Sequence, residues 1–318
     1  MTRRAALGMT VALMAVCGFR GDTGRAQATL RSQLLGHWRL VSSEQVREGE
    51  PAVASLGPAP AGMITYTADG HMLAQLGPST RPKLRAADAT GAQVKDLLRT
   101  QTSYFGTFTV DEVRGIVTHH RDGSQVPGER DFVRAIELSG TRLVLTTPTT
   151  VVDGKKRFAR ITWERLSPVA AVAPHAATSR AAVAGTWELV DHTTTMAAGG
   201  VRRSFGPTPK GLFIFSADGH TTVQIVNPER PITPLDAATE AEARALLGSY
   251  LAYFGSFDVD PATKTIVVHT TSDLNPMNSG TDQIRFYEMD GDVMYLQPPP
   301  TAVAGGQQVS RITWRRVR

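Results

Sequence analysis

The sequence predicts an all-β protein made of two tandem, antiparallel up-and-down β-barrels, each with one short helix. Three observations carry this prediction: an internal repeat, runs of alternating residues between turns, and one helical segment in each copy of the repeat. The stretch YFGTFTVD at 104–111 recurs as YFGSFDVD at 253–260, an offset of 149 residues. A strand repeated at this distance indicates a duplicated domain rather than one large domain.

The repeat extends over most of the chain after residue 28. Matching blocks follow in the same order in both copies: LLGHWRLV with VAGTWELV, ITYTADGH with FIFSADGH, and RITWERL with RITWRRV. The offset is 149 in the early blocks and 151 in the last block, where 160–166 matches 311–317. Between these blocks we take the offset to be 150 residues, which pairs His119 with His269. A constant order with one- or two-residue gaps at turns is what a tandem duplication leaves.

The composition between the copies sets the domain boundaries. Residues 167–182 are rich in Ala and Pro and poor in large apolar residues, which predicts a linker. The predicted domains are therefore barrel 1 at 29–166 and barrel 2 at 183–318.

Each copy consists mostly of predicted strands. Alternating residues rich in Val, Ile, Thr, Phe and Tyr are closed by Asp-Gly or Ser-Gly turns. One segment per copy breaks the pattern just before the Tyr-Phe-Gly strand, and in the second copy Asp236 is a candidate N-cap for a helix. Consecutive hairpins with one helix favour a closed barrel over a sandwich.

The first 28 residues predict a removed secretory signal. Two arginines precede an apolar run at 5–19, and Ala-Gln-Ala at 26–28 fits a cleavage site. A twin-arginine signal is the alternative route, and we interpret Cys17 as part of the apolar run rather than as a lipoprotein anchor. The protein is expected to be exported, periplasmic or secreted, and no other stretch predicts a membrane-spanning helix.

Charge and cysteine content exclude several function classes. The formal net charge is +5, and the first 28 residues carry four arginines against one aspartate, so the rest of the chain carries 5 − 3 = +2. These charges are interspersed, so no nucleic-acid partner is expected. Without Cys17 the chain has no thiol, and it contains no phosphate loop, dinucleotide turn or His-Glu-x-x-His motif. No metal and no cofactor are expected.

A Gly-x-Trp sequence opens the first strand of each copy, and a Trp-x-Arg sequence ends the last strand. This pattern resembles the lipocalins and the wider calycin group, in which the Trp plugs one end of an eight-stranded barrel and the Arg packs over its indole ring. The resemblance implies two structural pairs, Trp38 with Arg165 and Trp187 with Arg316. Each copy is similar, more closely, to the lipocalin-like domain family of bacteria and fungi.

Strand alternation predicts a polar cluster inside barrel 1. Tyr104 and Gly106 share one face of their strand, and a tight hairpin would put His119 opposite Gly106 on that face. If this face is the barrel interior, Tyr104, His119 and Arg134 converge in an otherwise apolar cavity. The missing side chain of Gly106 would leave room for an imidazole, a water or a ligand.

The second copy predicts the same cluster in barrel 2. It supplies Tyr253, His269 and Arg285, with Tyr287 two residues beyond Arg285 on the same face. Such a cluster is interpreted either as a ligand pocket or as a buried polar group that satisfies its own hydrogen bonds.

Two arginines lie outside these clusters but precede proline at matching positions. Arg81 and Arg230 follow a strand and are predicted to lie in loops near a barrel mouth, facing a ligand.

The sequence favours a binding protein for a small hydrophobic or amphipathic molecule, carboxylate- or carbonyl-bearing, held inside its barrels. Two alternatives stay open. One is a cofactor-independent isomerase or cyclase, in which His119 or His269 and Tyr104 or Tyr253 move protons. The other is a structural protein in which two filled barrels pack as an intrachain pseudo-dimer.

Overall fold

The computed structural model describes residues 28–85, 88–170, 176–230 and 232–318. The predicted signal, including Cys17, lies outside these residues except for Ala28. The helices are α1 (Leu30–Leu34), α2 (Gly91–Arg99), α3 (Ala176–Val183) and α4 (Glu240–Gly248), with a 3₁₀ turn at Pro276–Asn278.

Barrel 1 is built from ten strands in one sheet. They are β1 (Gly36–Arg47), β2 (Val53–Ala54), β3 (Pro60–Tyr66), β4 (His71–Pro78), β5 (Thr102–Asp111), β6 (Ile116–Ser124), β7 (Asp131–Ser139), β8 (Arg142–Thr146), β9 (Thr150–Val152) and β10 (Lys155–Arg165). Eight of them close the barrel in the order β1-β3-β4-β5-β6-β7-β8-β10, because β10 pairs back to β1. The short strands β2 and β9 extend its edges.

Barrel 2 repeats this topology strand for strand. Its strands are β11 (Gly185–Thr195), β12 (Val201–Arg202), β13 (Lys210–Phe215), β14 (His220–Val226), β15 (Tyr250–Asp260), β16 (Thr265–Asp273), β17 (Asp282–Asp290), β18 (Val293–Gln297), β19 (Thr301–Val303) and β20 (Gly306–Arg316). The pairing of β11 with β20 closes the barrel. All the pairings are antiparallel, so the predicted fold class of two tandem up-and-down barrels is confirmed.

Each barrel carries a second short helix that the sequence analysis did not predict. Helix α3 covers the second half of the stretch predicted as a linker and the first residue of predicted barrel 2, and it takes the place that α1 has in barrel 1. The indole Nε1 of Trp38 donates to the Leu34 carbonyl at the end of α1 at 2.8 Å, and Trp187 donates to Val183 at the end of α3 at 3.0 Å. The second half of the predicted linker is therefore a helix that contacts Trp187 at the closed end of barrel 2.

The predicted helices, α2 and α4, begin with capping boxes. Thr90 caps α2 with Gln93 in return, and Thr239 caps α4 with Glu242 in return. Asp236 was expected to be the cap of α4, but it lies outside the helix and forms an ion pair with Arg99 of α2, 2.6 Å away. Satisfying the first N–H groups of each helix fixes where it begins.

The outer faces of β4–β6 and β13–β15 pack against each other, so the two barrels share a buried boundary. The apolar cluster there contains Leu73, Phe105, Leu212, Ile214, Val226, Tyr250, Ala252 and Leu274. Two glutamines at equivalent positions hydrogen-bond across it: the Nε2 of Gln224 donates to the Ala74 carbonyl at 2.9 Å, and that of Gln75 to the Ala252 carbonyl at 3.4 Å. The barrels thus form an intrachain pseudo-dimer.

Candidate functional site: cavities at the barrel ends

A cavity of about 510 Å³ lies at the end of barrel 2 that is distant from Trp187; we call it the barrel 2 cavity. Its walls come from the C-terminal end of α4, the start of β15, the loop after β16, and Phe205. Leu84 and Leu97 of barrel 1 complete the lining. The cavity exists because the start of β15 and the end of β16 meet at the barrel end that α4 covers.

One buried carboxyl group lies in this apolar lining. Asp273 is 5% exposed, and burial raises the pKa of its carboxyl to about 6. The carboxyl oxygens accept hydrogen bonds from the backbone N–H of Asn275 at 2.8 Å and from Asn278 Nδ2 at 3.1 Å. These bonds hold the side chain in place and leave further acceptor sites on its oxygens.

Tyr253 and Arg285 lie near Asp273, inside the barrel. Tyr253 is the ladder partner of Asp273, and its hydroxyl is close enough to interact with both Arg285 and Asp273. Burial raises the pKa of Tyr253, so its phenol stays protonated. Arg285 also donates to the carbonyl of Ile284 at 2.8 Å.

A second cavity, of about 420 Å³, occupies the equivalent end of barrel 1; we call it the barrel 1 cavity. It lies between α2, the start of β5 and the loop after β6, and Leu235 of barrel 2 contributes to its wall. Tyr104, Arg121 and Phe132 line it, and Ser124 stands where barrel 2 has Asp273. The two cavities therefore share their position but differ in the residue at this point of the lining.

A chain of three buried side chains leads from the barrel 1 cavity toward the tryptophan end. The Tyr104 hydroxyl lies 2.9 Å from His119 Nδ1, and His119 Nε2 lies 2.8 Å from the Tyr66 hydroxyl. His119 is fully buried, and Tyr66 packs edge-on against Phe108. Sequence analysis predicted the contact of Tyr104 with His119 but missed Tyr66.

The environment of His119 keeps its ring neutral. Burial lowers the pKa of His119 to about 3, and the positive charge of Arg134 lowers it further. Burial also raises the pKa of both Tyr66 and Tyr104. A neutral imidazole has one donor and one acceptor, so one tyrosine donates to the ring and the other accepts from it. The three side chains therefore satisfy one another's hydrogen bonds. With a pKa of about 3, His119 is too weak a base to take up a proton near neutral pH.

Barrel 2 does not contain this chain, which corrects one prediction. Phe215 stands at the position of Tyr66, and Val268 stands at that of His119. His269, predicted to lie inside, is instead on the outer face and hydrogen-bonds Asp282 at 2.8 Å and Asp258 at 3.2 Å. Its counterpart in barrel 1 is His120, which pairs with Asp131 in the same way.

The remaining predicted pocket residues lie on the inner faces but not in the cavity linings described above. Arg134 donates to the carbonyl of Val133 at 2.7 Å and lies over the Phe132 ring, 4.9 Å from its centroid. Tyr287 is 6% exposed and packs in the apolar core of barrel 2, with Lys264 5.8 Å from its ring centroid.

Arg81 and Arg230, predicted to face a ligand from loops near a barrel mouth, are each held by the opposite barrel, and Arg230 also lines a cavity of about 270 Å³. Arg81 donates to the carbonyl oxygens of residues 273–274, and Arg230 to those of residues 124–125. Both guanidinium groups are therefore used at the boundary between the barrels, where they satisfy buried backbone acceptors.

Gly106 and Gly255 also have a different role from the predicted one. Each lies at a β-bulge, where a Cβ would come 2.0 Å from the carbonyl oxygen of His120 or His269. The missing side chain of each glycine lets the backbone of the neighbouring strand come close, and the space is not left for a ligand.

The opposite end of each barrel is closed by a tryptophan under an arginine. The guanidinium carbon of Arg165 lies 4.0 Å from the Trp38 ring centroid, and that of Arg316 lies 4.1 Å from Trp187. All four side chains therefore serve to close this end of the barrels.

Among the residues that the structure describes, no helix is long and apolar enough to span a bilayer. The same residues contain no group of three His, Cys, Asp or Glu side chains placed to hold a metal ion.

Two closed eight-stranded barrels, each plugged by Trp at one end and hollow at the other, define a tandem calycin-type barrel protein. A family model described as the lipocalin-like domain matches residues 35–166 and 184–317. The chain therefore belongs to the lipocalin-like domain family, and it carries the domain twice. This fold supports a ligand-binding role.

Comparison with solved structures finds a protein of unknown function of the DUF3598 family from Nostoc punctiforme. It is 10% identical, the match covers 90% of this chain and 97% of that chain, and the TM-score is 0.24. Comparison with curated proteins finds no match.

Proposed function

We propose that the protein binds a small, mainly apolar molecule in the barrel 2 cavity, and that the molecule carries one hydrogen-bond-donating group. The observation that carries this proposal is the single buried carboxyl of Asp273 in an otherwise largely apolar cavity of about 510 Å³. Cavities of this size, lined by apolar side chains with few polar groups, are typical of small-molecule sites.

The apolar part of the ligand would contact leucines from both barrels. Leu84 and Leu97 come from barrel 1, and Leu247 and Leu251 from barrel 2. Burying apolar ligand surface here contributes roughly 25 cal/mol per Å² before the entropic cost of association. A site built from both barrels gives the duplication a purpose, because one barrel alone would lack a wall.

Asp273 sets the polar end of the ligand. Its pKa of about 6 leaves it mostly ionised at neutral pH, so a hydroxyl or an ammonium group would pair with it. The ligand proposed for barrel 2 is thus neutral or basic at its polar end, unlike the carboxylate-bearing molecule expected from the sequence.

Fluorescence titration with the neutral probe N-phenyl-1-naphthylamine tests the proposal. Leu251→Trp fills the barrel 2 cavity, and Thr102→Trp is its matched control at the equivalent position of barrel 1. We expect Leu251→Trp to reduce probe affinity about tenfold or more, and Thr102→Trp to retain the site in barrel 2. Equal binding by the wild type and Leu251→Trp would contradict the proposal.

We also propose export, supported by the basic, apolar and Ala-Gln-Ala segments of residues 1–28. Cleavage after Ala28 would leave Thr29, which caps α1 through its contact with the Ser32 N–H, at the new N-terminus. N-terminal sequencing of the protein from a bacterial host should begin at Thr29. A protein that retains residues 1–28 and stays in the cytoplasm would refute export.

A further inference from the structure

Arg121 of β6 carries a charge that no acceptor in the structure uses. Its guanidinium is half-buried and lies over the Phe132 ring, 4.0 Å from the centroid. Burial lowers the pKa of Arg121, but an arginine remains protonated at any physiological pH. Within the described part of the chain, the side chain of Arg121 makes no hydrogen bond or ion pair, and its Nε is buried without a partner.

This contrasts with other partly or fully buried arginines of the protein. Arg81, Arg165 and Arg230 each donate to backbone carbonyls, and Arg180 binds the Asp258 carboxylate at 2.7 Å. The acid that attracts Arg121 is Glu129, which also lines the barrel 1 cavity but does not approach within ion-pair distance. The buried Nε–H of Arg121 has no acceptor, and leaving a buried donor unpaired costs stability unless something supplies an acceptor.

Arg121 lines the barrel 1 cavity together with other unsatisfied groups. Gln101 Nε2, Ser103 Oγ and Gln125 Oε1 are buried without hydrogen-bond partners, and these side chains are 4%, 2% and 1% exposed. Two of these three groups are donors, as is Arg121. Leu98, Val126, Phe132 and Leu235 supply an apolar wall to the same cavity.

The equivalent positions in barrel 2 have the opposite character. Thr270 replaces Arg121 opposite the bulge glycine, and Asp273 replaces Ser124 at the end of the strand. At these two positions barrel 1 thus has a cation and a hydroxyl, whereas barrel 2 has a hydroxyl and a carboxylate.

We propose that the barrel 1 cavity is a second binding site, which takes the carboxylate end of an amphipathic small molecule, with Arg121 as its anion-binding residue. The planar guanidinium can bind a carboxylate through two parallel N–H bonds while the apolar wall holds the chain of the ligand. This cavity differs from the one assigned to the neutral or basic ligand, and the proposal stands if that assignment fails.

The test is isothermal titration calorimetry with decanoate and decanol, performed in the Leu251→Trp background so that the barrel 2 cavity is closed. We expect decanoate to bind with a stoichiometry of one and tighter than decanol. Arg121→Gln should weaken decanoate binding about tenfold or more and leave decanol binding unchanged. Arg121→Lys keeps the charge but loses the two parallel bonds, so its decanoate affinity should lie between those of the parent and of Arg121→Gln.

The matched control is Arg114→Gln, an exposed arginine in the β5–β6 turn that pairs with Asp111. It should bind decanoate as the parent does. Thr102→Trp, added to the same Leu251→Trp background, should abolish decanoate binding independently of Arg121. Equal decanoate affinity in Arg121→Gln and its parent, or decanoate binding that survives Thr102→Trp, would overturn the proposal. Neither outcome bears on the probe titration at barrel 2.

Discussion

Arg81 and Arg230 bind the same pair of carbonyl positions on opposite barrels. Arg81 donates to residues 273–274 of barrel 2, and Arg230 donates to residues 124–125 of barrel 1. The two arginines are 149 residues apart, as are their acceptors, so the contact is reciprocal about the pseudo-twofold axis. The carbonyl acceptors belong to residues that also line the two cavities. A change in how the barrels pack would therefore change the shape of the cavities.

Removing either arginine should destabilise the boundary between the barrels. Arg81→Ala and Arg230→Ala each leave two carbonyls without a charged donor, so we expect a loss of about 1.5–3 kcal/mol in the free energy of unfolding. Urea unfolding followed by circular dichroism measures it. Arg114→Ala, at an exposed turn, should change stability by less than about 0.5 kcal/mol. Losses no larger than that of Arg114→Ala would show that the reciprocal contacts do not hold the barrels together.

The Tyr66–His119–Tyr104 chain should behave as one energetic unit. His119→Val copies Val268 of barrel 2 and leaves the buried hydroxyls of Tyr66 and Tyr104 without a hydrogen-bond partner. We expect it to lower the free energy of unfolding by about 2–4 kcal/mol. Tyr66→Phe, which copies Phe215, should recover part of that loss when combined with His119→Val, because one stranded hydroxyl is then gone.

A double-mutant cycle in urea measures this coupling, which we expect to be about 1 kcal/mol. His120→Val is the matched control, since that neighbouring ring lies on the outer face and contacts Asp131. Its combination with Tyr66→Phe should be additive. Additivity between His119→Val and Tyr66→Phe would mean that the hydrogen bond seen between these rings contributes nothing.

Asp273 should make the protein less stable as pH rises through the weakly acidic range. Burial raises its pKa to about 6 from 3.8, so between these values the unfolded chain releases the proton first and stability falls with rising pH. Asp273→Asn does not titrate. Its free energy of unfolding relative to the wild type should therefore increase between pH 4 and 6, by up to about 3 kcal/mol, and level off above that range.

Urea unfolding at several pH values measures the difference. Ser124→Asn, at the equivalent position of barrel 1, replaces no ionisable group, so its difference from the wild type should not vary over this range. A pH-independent difference for Asp273→Asn would show that the carboxyl is not desolvated in the folded protein.

The sequence predicted the barrel topology because the repeat and the strand alternation are local signals. It also placed His119 on the correct face while naming the wrong partner. The hairpin pairs Phe108, not Gly106, with His119. That register error is two residues, and a two-residue slip keeps a side chain on the same face. For barrel 2, the sequence alignment used an offset of 150 residues at His119 where the structure has 149. Val268 is therefore the counterpart of His119, and His269 was placed on the wrong face.

The boundary between the barrels could not be predicted from alternation. Alternation puts Phe105, between the inward-facing Tyr104 and Gly106, on the outer face, but a single sequence does not tell whether an outward face meets solvent or a second barrel. The same limit applies to Arg81 and Arg230, whose acceptors are nearly 200 and more than 100 residues away. Tyr66, by contrast, could have been found, because it differs from Phe215 within the aligned blocks ITYTADGH and FIFSADGH.

The bulge glycines give the sharpest test of what the repeated Tyr-Phe-Gly is for. Gly106→Ala and Gly255→Ala would each bring a Cβ to 2.0 Å from a backbone carbonyl, which cannot move without disturbing the ladder. We expect each to cost about 2–4 kcal/mol in urea unfolding, because the added Cβ overpacks the bulge. Gly248→Ala is the control, since nothing lies within 4 Å of its added Cβ in helix α4, and it should be neutral or stabilising. If Gly106→Ala unfolds like the wild type and instead loses ligand binding, the glycine makes room for a ligand after all.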